Sequence, residues 1–325
     1  MLTQDQIDQF HRDGFLAVRG VFSDQEVRAL RDAAEAVQAD GIAGIGDGHG
    51  YREVDGEKQY YRTDGVLWDR EAAFRAATVH PDLLTAVGQC MGHPFMPVNN
   101  SLVVKMPKSG VAIPWHQDPP YLSPTGWGDG RVGPEPRSET YPVPNFDCDI
   151  YLDPATLENG CLYAIAGHHL VGHVDIDRFT QDELFDHPGS APLEMAPGDI
   201  LLHALTAPHG SRPNESDGMR RIFYVHFMAR EVMSDLYSSW FDDGVDGARG
   251  LGPAALDRAQ QMLNDRAAAG LASHGDTTAP VTLSPHGFTY PGSPGTPPQH
   301  WATLAAALSP DDIRIRKALA LGTPS

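Results

Sequence analysis

Trp115-His116-Gln117-Asp118 puts an imidazole and a carboxylate two residues apart, in a run that reads as the end of a strand. On a strand, residues i and i+2 project to the same face, so His116 and Asp118 point in parallel and Gln117 turns away. A nitrogen and an oxygen placed in this way can grip one small cation. The same pair also fits a strand cap and a turn start before Pro119-Pro120, so the metal reading needs a third ligand. His209 supplies one, in a turn between the strand-like runs "DILLHAL" and "RIFYVHFMA". Arg220 follows eleven residues later, at the start of the second run. If those two strands are antiparallel neighbours, Arg220 points into the same cavity as His209. A buried guanidinium needs a partner, and a carboxylate held through two hydrogen bonds is the best geometric match. Two histidines and one aspartate facing a cavity make the facial triad of non-haem Fe(II) oxygenases, which leaves coordination positions open.

Those residues need a scaffold, and the chain spells one out in two styles. Its start is helical: Thr3-Gln4-Asp5-Gln6 and Ser23-Asp24-Gln25-Glu26 both fit a capping box. Val27, Leu30, Ala34 and Val37 then share one helical face. A strand-like run, "GFLAVRGVF", lies between the two helices, and a helical pair broken at Pro81 follows a glycine-rich loop. After that, "SLVVKM", "DIYLD", "CLYAIAG", "DILLHAL" and "RIFYVHFMA" are short apolar or alternating runs separated by Gly and Pro. That pattern predicts a β-sandwich or barrel. The Pro/Gly-rich link Leu122–Asn145, which carries Trp127 and Tyr141, is long enough to be a lid over a site. A further helix is expected around Pro253–Ala269. No repeat or second domain is visible. The division is therefore one domain over 1–325: a helical part to about 95, a β core to about 232, and an extension beyond.

"WHQD", "ATLENGCLYAIAGHH" and "GDILLHALTAPHGSRPNESDGMRR" together resemble the phytanoyl-CoA dioxygenase family, and the opening "QIDQFHRDGFLAVRGVFSDQEVRALRDA" is similar to that family's usual start. The likeness runs over roughly residues 1–230. It implies a mainly β fold with flanking helices: a double-stranded β-helix, or jelly-roll, cupin-like barrel. It implies Fe(II) on His116, Asp118 and His209, with 2-oxoglutarate and O2 as cosubstrates. Arg220 would hold the distal carboxylate of 2-oxoglutarate and Ser211 would hydrogen-bond it. Asn99 or Asn100, and Lys105, lie where relatives place a polar residue on the cosubstrate. Arg221 competes with Arg220, but the spacing from His209 favours Arg220. The resemblance gives no ligand role to His203, which has an even chance of pointing inward. His168 and His169 read as turn-packing residues, His226 as a core strand residue and Cys161 as a small core residue. Related halogenases lack the carboxylate ligand, so Asp118 favours hydroxylation or oxidative cyclisation, with release of succinate and CO2. The branch expected is that of the hygromycin and orthosomycin oxygenases.

Charge narrows the partners. With 24 basic and 43 acidic residues, the 325-residue chain carries a formal charge of −19. Nucleic acid is excluded as a partner, because its phosphates would be repelled. A CoA ester is a poor substrate for the same reason, with only four lysines present. A negative cleft concentrates cations, so the expected substrate is a small polar or cationic metabolite, an amino-sugar or aminoglycoside-type scaffold first. No window is apolar enough for a membrane span. The opening has no basic head followed by an apolar core, and the three cysteines are an odd number without metal-type spacing. A cytoplasmic protein with reduced thiols is expected. Two other classes fit the same ligands: a non-redox metal-dependent hydrolase, and a non-catalytic metal-binding cupin-like protein. Neither gives Arg220 and Ser211 a carboxylate to hold.

Overall fold

The computed structural model describes residues 2–54, 56–92, 94–108, 110–118, 143, 145–167, 169, 176, 179–230, 233, 241–242, 250–271 and 281–290. In chain order the first elements are α1 (Gln4–Asp13), β1 (Phe15–Val18), α2 (Asp24–Ala43), β2 (His49–Val54) and β3 (Glu57–Asp64). The short helices α3 (Leu67–Arg70), α4 (Ala72–Thr78) and α5 (Pro81–Met91) follow. Next come β4 (Phe95–Lys105), β5 (Ile113–His116), β6 (Asn145–Tyr151), β7 (Leu162–Ile165), α6 (Gln181–Phe185) and β8 (Ser190–Leu193). The chain continues with β9 (Ile200–Ala204), β10 (His209–Ser211), β11 (Arg220–Ala229), β12 (Phe241–Asp242), β13 (Gly250–Leu251), a C-terminal helix Pro253–Ala268, β14 (Thr282–Ser284) and β15 (Gly287–Thr289). The segment 122–145, apart from Val143 and Asn145, lies outside the described residues, as do His168 and everything after 290.

Both capping boxes form. Thr3 pairs reciprocally with Gln6, and Ser23 with Glu26, so orphan N–H groups at each helix start are satisfied. α1 ends on Gly14 at φ 83°, where a Cβ would meet the His169 ring at 2.4 Å. Only glycine allows that turn and that close approach together.

Two antiparallel sheets carry the site. The larger has nine strands in the order β1-β9-β6-β11-β4-β15-β14, with β3 also on β4 and β2 on β3. The smaller runs β5-β10-β7-β8. This is the jelly-roll arrangement expected, although hydrogen bonding among the described residues leaves the two sheets separate rather than closed into one barrel. β11 shows how the layers divide. Phe223, Val225 and Phe227 face the helices and join Leu30, Phe74, Leu83 and Val87 in the main core. The Phe74 and Phe223 rings lie 4.7 Å apart. On the other face, Ile222 packs with Tyr151, Leu162, Ala164 and Leu201 between the sheets. Each such buried side chain is worth about 1.5–3 kcal/mol. β11 therefore has apolar support on both faces, and its polar inward residues are held on a rigid strand. β15 pairs with β4 through Phe288 and Phe95, so residues after 233 extend the same sheet. Among the described residues no helix is long and apolar enough to cross a membrane.

Candidate metal centre

β5 and β10 pair with His116 directly opposite His209. Their rings lie 4.2 Å apart. Asp118, two residues beyond β5, donates its backbone N–H to the Leu205 carbonyl at 2.9 Å, which fixes the carboxylate beneath both rings. Asp118 Oδ1 is 3.6 Å from His116 Nε2, and Oδ2 is 3.6 Å from His209 Nε2. The other ring nitrogens are taken: His116 Nδ1 donates to the Pro114 carbonyl at 2.7 Å, and His209 Nδ1 to the Ala207 carbonyl at 2.9 Å. A carbonyl only accepts, so both Nδ1 atoms carry the proton and both Nε2 lone pairs face Asp118. Carbonyls that accept a hydrogen bond from one ring nitrogen set the tautomer of metal-binding histidines. Burial and neighbouring His116 push His209 down to about 3, against the pull of Asp118, which keeps the ring neutral. Burial alone would raise the Asp118 carboxyl, but His209 and His116 outweigh it and hold it low. A neutral imidazole pair and a carboxylate are a donor set that suits Fe(II).

The three ligand atoms border a cavity of about 490 Å³. Arg220 and Ser211 line it too, both buried. The Arg220 side chain is 1 % exposed, and its Nε and Nη1 have no partner. A buried guanidinium with unpartnered donors, on a residue that lines the cavity, fits a carboxylate, as 2-oxoglutarate would supply. Arg221 points the other way. It makes a two-pronged pair with Asp153, at 2.8 and 3.1 Å, and a third contact to Glu35 at 3.0 Å.

The remaining candidates separate by register. On β4, Asn99 lies opposite His226 and Lys105 opposite Arg220. Asn100 is out of step: its Oδ1 accepts from Leu67 N at 2.9 Å, on the helix side, although the residue still borders the cavity. Lys105 is buried and does not line the cavity; its ammonium donates to the Arg212 carbonyl. Burial and Arg220 push its pKa well below the usual value. His169 is buried, with Nε2 3.2 Å from the His11 carbonyl. Cys161 is a buried free thiol.

Sequence reasoning passed over two acidic groups here and left the orientation of His203 open. Asp147 and Asp149 alternate on β6 and face inward, and His203 on β9 sits against them. His203 Nδ1 is 3.1 Å from Asp149, and Nε2 is 3.9 Å from Asp147. Burial works against charging His203, but Asp149 and Asp147 outweigh it and raise it to about 9. Burial raises Asp147 to about 8. Asp118, Asp147 and His203 form a second group with ligand atoms within 4.8 Å. It shares its carboxylate with the first. The signal was the Asp-x-Asp alternation within "NFDCDIYLD".

The model of phytanoyl-CoA dioxygenase (PhyH) matches residues 10–222. The chain belongs to that family. It is an Fe(II)- and 2-oxoglutarate-dependent dioxygenase, and the cavity described above carries donor sets for both. A methylphosphonate hydroxylase from Gimesia maris is 26% identical over 244 residues, covering 74% of this chain and 86% of its own. The solved structure of EvdMO1 is 29% identical with a TM-score of 0.55, covering 69% of this chain. The dioxygenase spans about half of EvdMO1, 49% of its length. HygX from Streptomyces hygroscopicus, solved with nickel, 2-oxoglutarate and hygromycin B, shares the fold at 20% identity and a TM-score of 0.53 over 70% of this chain and 88% of its own.

Proposed function

We propose that this dioxygenase hydroxylates or oxidatively cyclises a small polar metabolite, with a cationic amino-sugar scaffold the first candidate. His116, Asp118 and His209 would hold Fe(II), and Arg220 with Ser211 would hold the distal carboxylate of 2-oxoglutarate. The observation that carries the cosubstrate role is a buried Arg220 with unpartnered donors lining the same cavity as the His-Asp-His group. When bound, the metal with 2-oxoglutarate and O2 supplies the oxidising power, releasing succinate and CO2. The chain's own residues do the rest. Arg220 orients the diacid by a forked contact. The Nδ1 contacts to Pro114 and Ala207 keep both rings aimed. Residues of β2 and β3, among them Arg52, Tyr61 and Arg62, form one wall of the cavity.

The substrate class rests on charge and cavity chemistry. A chain of −19 draws cations toward its clefts. A cavity of about 490 Å³ holds a molecule of sugar size. The three free cysteines are buried, which accords with reduced thiols and a cytoplasmic setting. A second reading has its own observation: Arg52 and Arg62 also line the cavity, which would suit a small oxyanion such as methylphosphonate. Both are partly committed, Arg62 to Asp64 and Arg52 Nη1 to the Ala112 carbonyl at 3.1 Å.

The test is aerobic, Fe(II)-dependent succinate release from 2-oxoglutarate, screened over amino sugars and small phosphonates. His116→Ala, Asp118→Ala and His209→Ala should each abolish turnover and strongly weaken metal binding by calorimetry. Full Fe(II) affinity and turnover in two of the three would sink the ligand assignment.

A further inference from the structure

The larger sheet presents a row of polar side chains across four neighbouring strands. His203 on β9 is in register with Asp147 on β6, Asp147 with His226 on β11, and His226 with Asn99 on β4. All four line the cavity. His203 is engaged by Asp149 at 3.1 Å. The other three are open. His226 is 2 % exposed, and neither ring nitrogen has a hydrogen-bond partner. Among the described residues Asn99 makes no side-chain hydrogen bond, and the Asp147 carboxyl lies 3.9 Å from His203 Nε2, beyond hydrogen-bond distance. Buried polar groups are almost always satisfied, so His226 calls for a ligand, and half-buried Asn99 and Asp147 flank it on the same cavity wall.

The distal carboxylate of the cosubstrate, held at Arg220, lies away from them. His226 lies six residues along β11 from Arg220, about 20 Å at strand rise. A five-carbon diacid anchored on Arg220 covers well under that length. The row sits instead beside the metal ligands, since an Asp147 oxygen lies within 4.8 Å of an Asp118 oxygen. It therefore faces whatever molecule presents a C–H bond to the centre.

We propose that Asn99, His226 and Asp147 form the substrate-recognition floor, and that they take a ring bearing several hydroxyl or amino groups. This rests on the oxygenase reading above and specifies its substrate class. Adjacent strands stand about 4.8 Å apart, so the three side chains form an evenly spaced comb. Ring substituents on alternate carbons meet such a comb in register. The donor pattern decides between ligand classes. Neutral His226 offers one donor and one acceptor, Asn99 offers both, and an Asp147 oxygen accepts. A hydroxyl both donates and accepts and an ammonium donates, so a polyhydroxylated ring answers every position. A phosphorus oxyanion only accepts, and would leave the acceptors of Asn99 and Asp147 unmet. His226 and Asn99 are positioning and specificity residues, not members of the metal centre.

The experiment is anaerobic calorimetry on protein loaded with Ni(II), as a redox-inert metal, and 2-oxoglutarate. The probes are 2-deoxystreptamine, hygromycin B and methylphosphonate. At least one of the two polyhydroxylated probes should bind at least tenfold more tightly than methylphosphonate. His226→Leu should weaken that binding about tenfold, which corresponds to about 1.4 kcal/mol and lies within the range of one buried hydrogen bond. His226→Gln keeps a donor and an acceptor and should recover most of the loss. Titration of 2-oxoglutarate into each variant reports that it is folded. Unchanged probe affinity in His226→Leu overturns the proposal, as does methylphosphonate binding more tightly than both ring probes, or neither ring probe binding. Wild-type protein that fails to take up 2-oxoglutarate with nickel overturns the oxygenase reading and this proposal with it.

Discussion

Arg220 and Arg221 leave β11 on opposite faces, and their surroundings could hardly differ more. Arg220 is buried at the cavity wall with two donors unpartnered. Arg221 is locked to Asp153 and Glu35 on the helix side. Truncating each should give a clean contrast. Arg220→Ala should raise the 2-oxoglutarate concentration required by a factor equivalent to roughly 2–5 kcal/mol, with a small change in Tm. Arg221→Ala leaves Asp153 short of its main partner and should cost about 3–5 kcal/mol of stability, with 2-oxoglutarate affinity little changed. Calorimetric titration and thermal melts on both variants read the two effects separately. The reverse ranking would transfer the cosubstrate role to Arg221.

Helices and strands divide the legible from the illegible. Glu26 closes the capping box of α2 and also accepts from Arg266 at 2.9 Å, so one carboxylate fastens α2 to the C-terminal helix. Burial works to raise its pKa, but His80 and Ser23 outweigh it and hold it at about 2. A folded-state value below the ordinary 4.5 contributes stability that is complete above about pH 4.5 and is lost as pH falls toward 2. Tm should therefore decline across that window. Glu26→Gln should flatten this limb while costing about 3 kcal/mol at neutral pH. An acid limb of unchanged steepness in the variant would assign the window to other carboxylates. The box itself was readable, because capping is local and its residues are three apart. So were the strands, from alternation, and the His116–Asp118 pair, from parity on one strand. Parity alone could not choose between Asn99 and Asn100. That choice needs the register of β4 against β11, which is a long-range fact. Asp147 and Asp149 escaped, and the orientation of His203 stayed open, for the same reason: each has meaning only through a neighbour on another strand. His226 read as core, and it is buried, but what it faces is set by the packing of two sheets.

Across the molecule, a charge of −19 acts on ligands before contact. The cosubstrate is a dianion and must enter against that field, whereas a cationic ring is drawn in. Added salt screens both, with a Debye length of about 10 Å at 0.1 M. Raising ionic strength should tighten 2-oxoglutarate binding and weaken binding of 2-deoxystreptamine. Parallel salt series by calorimetry check this, and a common direction for both ligands would remove net charge as the cause. The open donors of Arg220 carry a further consequence. A protein whose interior holds an unanswered cation gains stability when a metabolite arrives. Ligand present at a hundred times its Kd contributes about 2.7 kcal/mol to the folded state. The protein's lifetime in a cell, its share lost to proteases and chaperones, then follows the supply of a central carbon acid. Starvation for 2-oxoglutarate removes the enzyme as well as its activity.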